Sequence, residues 1–342
     1  MIKKFSYILA LSLGLSASAA TNEELTKRLP EGCNMVVTLD IEKILTIPAV
    51  KKKLDDKAAM LPEQLAQMEL AKKLGFGPDS LERMVIGMKV SQSEVEAGKQ
   101  PEMSAILSTK KPMDLAAAIT IAKADPKIGL TVEEKKYQSH TCYVITKAGQ
   151  PAPVVIAQLN PTTLVLGTKN SALLSIGTAK AGAKSLASNK AVMTEVGALK
   201  GLFGIYFALT DADKAKMAQN AAAAAQNGQA DPAAAMMQTF QGFSLGADYV
   251  NNALSMEGLI SCKDANGAMG MAGMAQMFGG MALTNPELGI PAGAFKVAAD
   301  GSKVKLSLSL DQAVLDKLAD KAQKAQGGGE LEVTPVAPVG DK

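Results

Sequence analysis

Gly242-Phe243-Ser244-Leu245-Gly246 carries the G-x-S-x-G spacing of a nucleophile elbow, in which a serine on a sharp strand-to-helix turn attacks a carbonyl carbon. That chemistry needs an imidazole to take the serine proton, and the sequence holds one histidine, His140. Ser244 lies inside an apolar run that reads as a strand entering a hairpin. The required turn is therefore missing, and the pattern predicts a glycine-flanked strand serine. Ser108-Thr109-Lys110-Lys111 has the S-x-x-K spacing of penicillin-interacting enzymes, where it opens a helix. Here it ends a strand, and the companion S-D-N and K-T-G motifs do not occur in the sequence. Neither pattern predicts an enzyme.

Metal chemistry has two partial candidates. His140 and Cys142 stand two apart, hence on one side of a strand, but two ligands are not a site. Cys33 or Cys262 would have to arrive through the fold. In the Met-rich stretch 268–283, Met269, Met271, Met274, Met277 and Met281 are thioethers of the kind that hold Cu(I). If the stretch is helical, Met274, Met277 and Met281 share a face. The same composition suits an adaptable apolar helix packed on a sheet, or a surface that grips a lipid-like ligand. Phosphate-binding loops are absent from the sequence, and the adjacent acids Glu133-Glu134 and Asp55-Asp56 alternate faces or sit in a charged helix. No cofactor is expected.

The chain has 342 residues and a formal charge of +3. Lys3 and Lys4, the apolar core Phe5 to Leu15 and Ala17-Ser18-Ala19-Ala20 read as an export signal, with cleavage after Ala19 or Ala20. Its apolar core is short for a bilayer span, so no transmembrane segment is expected after cleavage. The expected address is periplasmic or extracellular. Loss of the leader's two lysines takes the formal charge from +3 to +1, which gives a polyanion no purchase. With five Tyr, eight Phe and no Trp, stacking platforms for bases are scarce as well, and no nucleic-acid partner is expected. Cys33, Cys142 and Cys262 are odd in number; sequence leaves open one disulfide or none.

The elements that must position these residues follow a plan that is laid down twice. Asn34 to Lys43, NMVVTLDIEK, is an apolar run ending at an aspartate with a lysine three residues on, and Gly201 to Lys214, GLFGIYFALTDADK, restates it. In the first half, strand 35–39 precedes a helix capped by Asp40. A second helix over 62–74 follows, then strands 84–90 and 103–110, helix 113–124, and strands 130–135 and 141–147. A hairpin of 154–159 and 163–168 reads as an addition, followed by helices near 171–181 and 189–199. The second half runs from strand 203–209 through a helix capped by Asp211 and another from Pro232. A hairpin then turns at Asn251-Asn252. The Met-rich segment follows, then strands 295–299 and 303–310 about Asp300-Gly301, and helix 311–326. Along 303–310, Val304, Leu306, Leu308 and Leu310 alternate with Lys303, Lys305, Ser307 and Ser309, as in a sheet covered on one side.

The pattern predicts an α+β protein of two similar units, each a mainly antiparallel sheet with helices packed on one face. The divisions expected are a signal peptide over 1–20, a first unit over 21–200, a second over 201–326 and a tail over 327–342. Whether the two sheets join is left open. The opening LPEGCNMVVTLDIEKILTIPAVKKKL resembles uncharacterised exported bacterial proteins in which an LP turn, an apolar strand and an Asp-capped helix open each of two degenerate repeats. The resemblance implies a duplicated α+β fold and carries over neither activity nor site residues. The function expected is non-enzymatic binding of a protein partner or an apolar small molecule. The alternatives are a carrier with a lipid-like ligand beside the Met-rich helix, and copper binding by that helix.

Overall fold

The computed structural model of the chain describes residues 20–48, 50–51, 77, 80–91, 98, 100–124, 129–147, 152–178, 184–199, 201–226, 238–283, 290–291 and 293–318. The leader over 1–19, the helix expected over 62–74, the helix expected from Pro232 and the tail over 327–342 lie outside the described residues.

The first half contains α1 (Asn22–Thr26), β1 (Met35–Asp40), α2 (Ile41–Thr46), β2 (Leu81–Lys89), β3 (Glu102–Thr109) and α3 (Leu115–Ala124). Hairpins β4 (Leu130–Tyr137)–β5 (His140–Lys147) and β6 (Val154–Asn160)–β7 (Thr163–Thr168) come next, followed by α4 (Lys169–Gly177) and α5 (Lys190–Ala198). The second half contains β8 (Phe203–Ala208), α6 (Asp211–Gln226), β9 (Phe240–Val250), β10 (Ala253–Cys262), α7 (Ala265–Leu283), β11 (Phe295–Asp300) and β12 (Lys303–Asp311).

Local chemistry sets most of these boundaries. Asp40 accepts the Lys43 N–H at 3.0 Å and starts α2. Asn251 and Asn252, at φ 53° and 60°, make the tight turn between β9 and β10. The cap of α6 differs from the one expected. Thr210 accepts the Asp213 N–H at 3.1 Å, and the Asp213 carboxylate reaches back to the Thr210 N–H and hydroxyl at 3.3 and 2.6 Å. Asp211 is instead the first helical residue, because this reciprocal pair satisfies two donors where Asp211 alone would satisfy one.

All the described strands form one antiparallel sheet in the order β11-β12-β10-β9-β8-β1-β2-β3-β7-β6-β5-β4. The halves meet through β1 and β8, with Val37 opposite Ile205. Outward from that junction the order is β8-β9-β10-β12-β11 on one side and β1-β2-β3-β7-β6 on the other, with β5 and β4 beyond. From the sequence, β6–β7 is expected to be the addition, with β4–β5 completing the first unit as β11–β12 completes the second. The ladder reverses this assignment: β7 pairs with β3 as β12 pairs with β10, so β4–β5 is the outlying hairpin.

Helices lie on both faces of the sheet. In β1, β2, β3 and β7, neighbours of opposite facing are both apolar: Val36 beside Val37, Val85 beside Ile86, Ile106 beside Leu107, Val165 beside Leu166. Each face then needs cover. The front face, with Val36, Val85, Ile106, Val155 and Val165, packs under α1, α4, α5 and the helical turn Leu186–Ser188. The back face, with Ala105, Leu107 and Leu164, packs under Leu115 and Ile119 of α3. Cross-strand registers carry that back face through Ile205, Leu245, Gly258 and Leu306, where Ala268 and Met271 of α7 cover it. In the second half the strands alternate, and α7 covers their dry side as the pattern of β12 predicts.

Asn34, just before β1, ties the junction together. Its side-chain amide donates to Val90 O at 3.0 Å and Ala208 O at 2.8 Å, and its oxygen accepts the Val90 N–H at 2.8 Å. One side chain thus holds the ends of β2 and β8 to β1. Asn34→Ala should lower stability by about 1–3 kcal/mol, the usual cost of orphaned part-buried polar groups. Urea denaturation checks this: a lower midpoint at unchanged slope is expected.

A front-face cleft beside helix α5

On the front face the helical cover ends at α5, which rests on β8. Beyond it, β9, β10, β12 and β11 show small and polar side chains. Two cross-strand rows make the floor. Gly246, Glu257, Ser307 and Lys296 form one; Ser244, Leu259, Lys305 and Ala298 form the next. Glu195, Ala198 and Leu199 at the end of α5 form one wall. The resulting cleft has a volume of about 900 Å³.

Its charges are of both signs. Glu195 is held by Lys303 at 2.8 Å, and Lys305 by Asp300 at 2.6 Å, which draws the Asp300 carboxyl below its ordinary value. Among the described residues, Asp248, Glu257 and Lys296 make no ion pair. Neighbouring strands are about 4.8 Å apart, so Glu257 and Lys296, two strands apart in one row, stand roughly 10 Å apart. Tyr206, at the cleft's inner edge, is raised above its ordinary pKa by burial and then by the Glu195 charge. Leu199, Val250 and Leu259 add separate apolar patches to the lining.

The residues singled out from the sequence are not brought together. Ser244 lies mid-strand in β9, opposite Tyr206 and Leu259, and is 9 % exposed. His140 is on β5, seven strand steps away, or roughly 34 Å along the sheet. No proton can pass directly between them. Ser108 is buried and donates to Glu82 Oε2 at 3.3 Å.

His140 Nδ1 lies 3.2 Å from the Gln158 carbonyl oxygen. Cys142 faces the front core of the first half with Cys33, while Cys262 sits under α7 on the back of the second half. All three cysteines are free and buried. In α7, Met271 and Met274 pack on the sheet, whereas Met277 is 54 % exposed. Met274 and Met277 therefore do not converge on an ion, since the helix seats the first on the sheet and turns the second to solvent. The side chain of Met281 lies outside the described residues.

Sequence reasoning missed Glu195, Glu257 and Lys296 as neighbours. The signal available was the run Gly242, Ser244, Gly246, Asp248, which alternates with Phe243, Leu245 and Ala247 and marks β9 as bare on one side.

No protein-family model matches the chain, and no curated protein matches it. Among solved structures it is similar to TP0453 from Treponema. Crystal form III aligns over 86 % of this chain and 97 % of that one, at 10 % identity and a TM-score of 0.46. Crystal form I aligns over 89 % and 98 %, at 10 % identity and 0.44.

Burial pushes the Cys33 thiol from 9.0 up to about 12, with Glu102 adding to the shift, and burial raises Cys142 and Cys262 also. Below pH 9 the thiol is protonated in both folded and unfolded chains and its contribution is intact. Above that, the unfolded chain ionises first, so stability should fall between pH 9 and about 12. Cys33 alone gives a slope of up to about 1.4 kcal/mol per pH unit. Urea midpoints measured across that range should decline, and less steeply in Cys33→Ala.

Proposed function

We propose that the protein is an exported, non-catalytic binding protein built from two units of one plan, and that the front-face cleft of the second unit is where it receives a partner protein. The observation that carries this reading is the uneven cover of one continuous sheet. Among the described residues, the front face is buried under three helices in the first half and carries no helix over β9, β10, β12 and β11 in the second. A cleft with both charge signs and scattered apolar patches suits a peptide segment, which offers charged and apolar side chains in alternation, better than a wholly apolar molecule.

Support for a non-catalytic role comes from how the reactive side chains are used. Ser244 is a floor residue far from the histidine, Ser108 is bound to Glu82, and the thiols are held protonated in the core. The reading of a lipid-like ligand beside the Met-rich helix is not pursued, because the cleft lies on the face opposite α7.

The test is site-specific photo-cross-linking in the native compartment. A probe replacing Ser255 in the cleft should yield a discrete protein adduct, whereas a probe replacing exposed Glu133 on β4 should not. Glu257→Lys should weaken that adduct at least several-fold. A cleft that yields no adduct, with a small molecule retained in native mass spectrometry, would instead support a carrier.

A further inference from the structure

A buried ionic group sits at the end of the β1–β2 ladder. Arg83, on β2, places Nε 3.6 Å from Asp40 Oδ2 and Nη1 3.5 Å from Glu82 Oε1. Asp40 and Glu82 are 5 % and 6 % exposed. Their second oxygens are also engaged, Asp40 by the Lys43 N–H at 3.0 Å and Glu82 by the Ser108 hydroxyl at 3.3 Å. Among the described residues, two carboxylates facing one guanidinium leave one negative charge without a cation, a costly arrangement for buried groups. Both ion-pair distances are long, so Arg83 does not bind either acid closely.

The closest contact of that guanidinium is with the chain's own leader junction. Arg83 Nη1 donates to the Ala20 carbonyl oxygen at 2.8 Å, and Ala20 packs against the front-face core. The sequence permits two cuts here, because Ala17 and Ala19, or Ser18 and Ala20, equally supply the small residues an export peptidase reads. The structure separates them. A cut after Ala20 would remove the residue whose carbonyl Arg83 holds, while Thr21, already bound through its N–H to Glu24 at 2.8 Å, would begin the chain.

We infer that maturation cuts the Ala19–Ala20 bond and that the new α-ammonium of Ala20 docks as the missing cation of the Asp40, Glu82 and Arg83 group. This rests on the export reading. The export peptidase hydrolyses the amide with one water: the Ala19 carbonyl departs with the leader as a carboxylate, and the Ala20 nitrogen takes a proton to become an ammonium. Within one residue the nitrogen is about 3 Å from the carbonyl oxygen, so the new charge arises one residue's width from the oxygen that Arg83 holds at the edge of this group. The group is then balanced, two cations to two carboxylates, and the N-terminus is tied to the strand next to the junction. An uncut leader leaves the amide neutral and the group one charge short.

Intact mass and N-terminal sequencing of the protein recovered from its own compartment test the cut. A chain beginning at Ala20 supports the inference. One beginning at Thr21 overturns it and leaves export standing, and one that keeps residues 1–19 overturns both. Docking is tested on chains produced to begin at Ala20 or at an added Met before Ala20. The Ala20 chain should unfold at a higher urea concentration, and Glu82→Gln should shrink the difference, because Arg83 alone then balances Asp40. Equal midpoints in the two chains with Glu82 intact overturn docking.

Discussion

The antiparallel pairing of β1 with β8 is the constraint on which the remaining architecture depends. Each is the first strand of its half, and each carries its own half outward on the other side. If they did not pair, both would be edge strands with a row of unpaired amides. Once they do, the two halves form one sheet, and the exposed edges retreat to β11 and β4. Thr38 of β1 lies against Gly204 of β8, where any larger residue would meet its hydroxyl. Asn34 closes one end of this contact, and the Asp40–Arg83 group stands at the other.

Sharing a sheet does not make the halves equal. In β1, β2, β3, β6 and β7 the strands are apolar on both sides, so burial of that surface calls helices to both faces. The chain supplies them: α1, α4 and α5 in front, α3 behind. The later strands are apolar on one side only, and α7 satisfies that side. Their front, floored by glycine, serine and charged residues, has no hydrophobic demand and stays open as the cleft. The feature most open to recognition is thus a direct result of which residues alternate in β9, β10 and β12.

How much of this could be read in advance follows from how local each cause is. The β12 alternation, the Asn251-Asn252 turn and the Asp40 cap rest on neighbours in sequence, and each is found as read. The cap of α6 was harder, because Thr210, Asp211 and Asp213 are all competent and only the reciprocal geometry decides. Strand order is not local at all. Nothing in residues 154–168 states that β7 will lie beside β3 and displace β4–β5 to the edge. The methionines fail for a related reason: spacing gives a shared face, but which side of α7 meets the sheet is fixed by Ala268 and Met271. The cleft joins α5 to strands that follow it by many residues, and its carboxylates and lysines have no common motif.

The central claim is that the two halves are one cooperative body joined at β1 and β8, with the second half's front face left bare. Native-state hydrogen exchange followed by mass spectrometry tests it most directly. Amides of β1 and β8 should be among the slowest to exchange and should open only with global unfolding. Rapid exchange in β1 and β8, or separate opening of the two halves with those strands released first, would contradict the account.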